Sequence, residues 1–126
     1  MSRLLDEEIE FDHEGYAEEL AIRRARIVDA RRRGLISLNR LVTVAQGDSG
    51  QSEVCGRFLL SVYNSKAFCF PMNELRRLQD DLWDDCIAVL AMDRSPFAEV
   101  HQLVEDGPRL WELFKKKWAI DETISH

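Results

Sequence analysis

Residues 47–64 read Gly-Asp-Ser-Gly-Gln-Ser-Glu-Val-Cys-Gly-Arg-Phe-Leu-Leu-Ser-Val-Tyr-Asn. A polar turn hands over to a run in which Val54, Phe58, Leu59 and Val62 recur at intervals of three and four, the spacing that gathers side chains on one helical face. Asp48 and Gln51 stand three apart ahead of that run in the form of a capping box, which predicts a helix starting there and ending near Asn64. The same interval recurs on both sides of this stretch, whereas alternation over a strand length is hard to find. The expectation is therefore an all-α fold, one compact bundle of about five to six helices.

Toward the amino end, Tyr16, Leu20 and Ile27 form one stripe flanked by Ala17, Ala21 and Val28. They predict a helix over 14–33 that Gly34 stops. A second, shorter helix fits 38–46, capped by Ser37 and closed by Gly47. Beyond the loop 65–71, Leu75, Leu78, Leu82, Cys86, Val89 and Leu90 keep helical spacing to about Met92, as one long helix or two with a break near Asp80. Ser95-Pro96 has the form of an N-cap with proline in the first turn. It predicts a helix with Phe97, Val100 and Val104 on one face, stopping at Gly107. A last helix starts at Pro108 and presents Leu110, Trp111, Phe114 and Trp118. The organisation expected is an acidic arm over 1–13, a helical domain over 14–118 and a tail over 119–126.

With 126 residues, 45% of them hydrophobic, the chain can build one ordinary core but not two. Its longest apolar runs fall well short of the roughly 20 residues that span a bilayer. No membrane contact is expected. The acidic beginning, where a secretory signal would be apolar, makes the cytoplasm the expected compartment. Cys55, Cys69 and Cys86 lack Cys-x-x-Cys spacing, so they read as reduced packing residues rather than a disulfide framework or zinc knuckle.

Catalytic chemistry finds little support. Gly47-Asp48-Ser49-Gly50 spells four letters of the nucleophile segment of chymotrypsin-like serine proteases, yet His13, His101 and His126 sit in no credible place to serve Ser49 as a base. Ser49 reads as turn chemistry. No two His or Cys residues stand at one-face helical spacing, and no phosphate loop ends in Lys-Ser/Thr. Asp80, Asp81, Asp84 and Asp85 share a helix face but lack the ligand alternation and glycine of a calcium loop. No enzyme, cofactor or metal is expected.

Charge carries the remaining signal. The net charge is -6, yet residues 1–20 hold eight acids and one base, while 21–40 hold seven arginines and one acid. The cluster Arg23, Arg24, Arg26, Arg31, Arg32 and Arg33 reads two ways. It suits the carboxyl half of a helix, with Glu19 to Arg23 and Asp29 to Arg33 as i, i+4 pairs and with Arg24 and Arg31 bridging to the Asp80 to Asp85 face. It also suits contact with nucleic acid or an acidic partner. Trp83, Trp111 and Trp118 divide between core and interface anchors, with core favoured by the spacing of the last two.

The turn 47–52, the Phe58-Leu59-Leu60 run, Tyr63-Asn64 and the later Asp-rich helix together resemble an uncharacterised domain family of proteobacterial mobile elements. That family shows a Gly-Asp-Ser/Thr-Gly-Gln-Ser turn and a Phe-Leu-Leu helix, and tends to have tryptophan where Tyr63 stands. The likeness covers roughly 38–118 and carries no activity. What it implies is a helical fold and an origin on a plasmid, integrative element or phage.

From that origin and the charge pattern, the function expected is a small binding protein that modulates or inhibits a nucleic-acid-handling complex by protein contact, in the manner of anti-CRISPR proteins. Asp6, Glu7, Glu8 and Glu10, with Asp80, Asp81, Asp84 and Asp85, would engage basic surfaces of that partner. The alternative is a nucleic-acid-binding accessory protein using Arg23, Arg24, Arg31, Arg32 and Arg33.

Overall fold

The computed structural model describes residues 13–119, and among them there is no β-strand. Four α-helices, α1 (His13–Ala45), α2 (Gly50–Tyr63), α3 (Asp80–Asp93) and α4 (Gly107–Trp118), are joined by two 3₁₀ segments, Met72–Arg77 and Val100–Gln102. The all-α bundle is therefore the fold. Asp6, Glu7, Glu8 and Glu10 lie outside the described residues, as does nearly all of the expected tail.

One expectation fails at the centre of the longest element. The predicted helices 14–33 and 38–46 are a single helix of 33 residues. Gly34 does not stop it, because α3 crosses α1 there: a β-carbon at Gly34 would lie 2.8 Å from Met92 Sδ. Ser37 caps nothing, and its hydroxyl donates to Asp85 Oδ1 at 2.7 Å. A glycine inside a helix costs about 1 kcal/mol against alanine, which close packing along the next three turns readily offsets.

The turn into α2 also differs in detail. Ser49, not Asp48, is the N-cap, its Oγ accepting from Ser52 N at 3.0 Å. Gln51 instead reaches the start of α3, where its amide donates to Arg77 O and its Oε1 accepts from Gln79 N. Asn64 closes α2, and its Oδ1 accepts from Ala67 N. Of the two alternatives over 75–92, the broken one is present, with Gln79 as the N-cap of α3 and Asp80 and Asp81 in the first turn, where the helix dipole favours acid.

The helix expected over 95–107 is absent. Only Val100–Gln102 coils, as a 3₁₀ turn in which Glu99 and Gln102 cap each other. The Ser95 carbonyl is held by Arg31. Gly107 starts α4 rather than ending a helix, with Asp106 before it in the left-handed region at φ 61° and Pro108 in the first turn.

The core lies between the carboxyl third of α1 and the other three helices, where Leu38, Leu41, Ala45, Val54, Cys55, Leu59, Cys86, Val89 and Phe114 are fully buried. Trp111 joins them at 1% exposure, and half-buried Trp118 packs where Gly56 leaves no room for a side chain. Cys69 departs from its expected packing role and is exposed.

Candidate binding surface on α1

The antiparallel pairing of α1 and α3 fixes what each end of α1 can do. Asp85 faces Ser37, Met92 faces Gly34, and the Ser95 carbonyl just past α3 faces Arg31. α3 ends at Asp93, so the 18 residues from His13 to Ala30, roughly 27 Å at 1.5 Å per residue, run on beyond it. No residue from His13 to Arg33 is buried, and the buried set of α1 begins at Gly34.

This overhang has two distinct sides. On the side continuing the buried stripe, Arg23, Arg26, Ile27 and Ala30 meet Met92 and Arg94 across an open cleft of about 520 Å³. On the side turned away from the bundle, Val28 is 65% exposed, and two helical turns on, past the overhang, Ile36 is 51% exposed. Arg24 and Arg32 stand at i−4 and i+4 from Val28, so they frame it on the same face. Large aliphatic side chains held this far into water are the informative kind of exposure when they recur on one face with charged neighbours.

The arginines sort into three groups. Asp29 takes Arg32 at 2.8 Å and Arg33 at 2.9 Å, and Arg32 is the larger cause holding the Asp29 carboxyl below its ordinary range. The Asp29 to Arg33 pair is thus formed, whereas Arg23 makes no ion pair with Glu19. Arg31 turns into the structure, stacking 4.5 Å from the Phe97 ring centroid and donating to the Ser95 carbonyl at 3.3 Å. Arg23, Arg24, Arg26 and Arg94 have no acidic partner among the described residues.

The expected acidic face does not assemble. Asp80, Asp81 and Asp84 are exposed, but Asp85 is 2% exposed and accepts from Ser37 and from the Arg40 guanidinium at 2.6 Å. Neither Arg24 nor Arg31 bridges to that face. Arg40 does so, and its bond to Asp85 raises its pKa further. Arg40 was legible as one of seven arginines in 21–40 but not as the one that matters, because its partner is 45 residues away.

Other expected chemistry groups are accounted for locally. Ser49 is spent on the N-cap of α2, and His101 packs edge-on against Tyr63 at 5.0 Å. Burial pushes the Cys55 thiol up to about 12 and the Cys86 thiol upward as well, which disfavours the thiolate in both. No group of three or more His, Cys, Asp or Glu among the described residues is placed to hold a metal ion. No described helix is long and apolar enough to cross a membrane.

Neither the curated proteins nor the solved structures contain a match to this chain. A family model does match, over residues 35–119, which takes in the bundle from the carboxyl third of α1 to the end of α4 and leaves the overhang outside. The chain belongs to that family, the family of unknown function DUF7673.

Proposed function

We propose that this protein is a non-enzymatic binding factor that docks on an acidic surface of another protein through the outward side of α1 from Arg24 to Ile36. One observation carries the reading: Val28 and Ile36 stand exposed on a single helix face framed by Arg24 and Arg32. Apolar anchors inside a guanidinium rim suit a protein surface, where arginine supplies orientation and burial of the aliphatic groups supplies affinity. An origin on a mobile element rests on the family resemblance, and inhibition of a nucleic-acid-handling complex in the anti-CRISPR manner rests on that origin and the charge pattern.

The test is affinity capture from the native host with three baits: wild type, Val28→Glu and Arg24→Glu/Arg32→Glu. Those positions lie outside the core, so all three baits are expected to keep the same circular dichroism spectrum. A specific protein recovered by the wild type and lost with both variants supports the reading. A partner retained by both variants, or no specific partner at all, counts against it.

Direct nucleic-acid binding is a second reading, favoured by Arg23, Arg24, Arg26 and Arg94, which have no acidic partner among the described residues. The net charge of -6 and the acids on the first turns of the same helix oppose it. It predicts a mobility shift that weakens steeply with salt. A flat titration at low salt removes it.

A further inference from the structure

We infer that the cleft between the overhang and the end of α3 is the seat of the acidic first turns of α1 from a second copy of this chain. Two such helices would cross antiparallel about a two-fold axis. This goes beyond the proposed partner contact, which centres on Val28 and Ile36 rather than on the stripe of Leu20 and Ile27.

The geometry asks for an antiparallel helix in that place. Along the carboxyl third of α1, the face formed by Gly34, Leu38, Leu41 and Ala45 is buried, with antiparallel α3 crossing it at Gly34. Seven and fourteen residues before Gly34, the same face continues as Ile27 and Leu20, both only half-buried, but α3 has ended. Among the described residues, the stripe outlasts its cover. An antiparallel helix from another molecule would continue the line of α3 over residues 20–30.

Charge selects which helix that is. The cleft offers three guanidiniums, Arg23, Arg26 and Arg94, with no acid opposite them among the described residues. In the first turns of α1, Glu19 flanks Leu20 at the edge of this stripe. A two-fold operation brings Glu19 to Arg23 and Arg26 in the cleft of the other copy and repeats the contact, so acid meets base in each half. A parallel arrangement would set acid on acid and base on base.

The experiment is sedimentation velocity of the purified chain alone, which contains no host partner and so leaves the proposed function untouched either way. The wild type is expected to dimerise with rising concentration and to dissociate in high salt. Glu18→Arg/Glu19→Arg and Arg23→Glu/Arg26→Glu are each expected to be monomeric, with unchanged helical circular dichroism. An equimolar mixture of the two is expected to dimerise again, because both halves of the mixed pair regain opposite charge. A wild type that stays monomeric at every concentration overturns the inference. So does a dimer that survives both reversals, or a mixture that stays monomeric.

Discussion

Ser37 and Asp85, 48 residues apart, are joined by a 2.7 Å hydrogen bond inside the contact between α1 and α3, and Arg40 closes the same carboxylate from the solvent side. This pins the register of α1 against α3 with one buried charge. Asp85 is 2% exposed, while the Arg40 side chain remains 63% exposed. The pair thus sits at the edge of the core, with the acid inside and the base half in water.

Asp85→Ala is expected to destabilise the protein by about 3 kcal/mol, because it strands the buried Ser37 hydroxyl and leaves a hole beneath Arg40. Asp84→Ala, on the exposed side of the same helix, is expected to change stability by less than about 0.5 kcal/mol. Urea denaturation of both variants measures the difference. Equal effects would mean that Asp85 is not the anchored carboxylate.

Gly34→Ala is expected to destabilise by about 1–3 kcal/mol, the range of an overpacked contact, although alanine is the better helix former. The added β-carbon would run into the Met92 side chain, and with it the closest approach of α1 and α3. Gly50→Ala is the control, since its nearest neighbour would be Arg77 Nη2 at 3.5 Å. Thermal unfolding should separate the two. A stabilised Gly34→Ala would show that the helices are not in contact there.

These two residues also mark where sequence reading stops. Gly34 followed by Ser37 has the local form of one helix ending and another beginning, and nothing within a window of ten residues says otherwise. The contradiction comes from Met92 and Asp85, about fifty residues on. Features set by local periodicity were legible: the span of α2 and the start of α4 beside Pro108. The arginine cluster was legible too. Its division into an outward face, a cleft and a paired group was not, because that depends on where α3 stops alongside α1.

The three thiols are expected to differ in reactivity. Cys69 is exposed, whereas Cys55 and Cys86 are both at 0% exposure. A thiol-disulfide reagent should label one cysteine in the native protein and all three after denaturation. Burial also ties stability to alkaline pH. Cys55 holds its proton up to about 12 when folded, against 9.0 for the unreacted ordinary thiol. The folded state thus binds that proton more tightly. Its contribution is complete below pH 9.0 and is lost as pH rises from there toward about 12. Cys55→Ala should flatten that part of the stability curve, and an unchanged alkaline slope would contradict it.

Lys117 ties the end of α4 to the end of α1. Its ammonium donates to Gln46 O at 3.1 Å and Gly47 O at 2.7 Å and pairs with Asp48 Oδ1 at 2.9 Å. Trp118 adds a bond from Nε1 to Ala45 O at 3.0 Å. A cation on the last carbonyls of a helix satisfies acceptors that the helix cannot, and it meets the negative end of the dipole. Lys117→Met keeps the aliphatic stem and removes the charge, so it isolates this contact from packing. The expected loss is about 1 kcal/mol, the net value of a hydrogen-bonded polar group, with Lys116→Met, exposed one residue earlier, near zero. Hydrogen exchange gives the sharper reading. Amides in the last turn of α1 should exchange faster in Lys117→Met and at the wild-type rate in Lys116→Met, and equal protection in both would show that α1 is closed without the lysine.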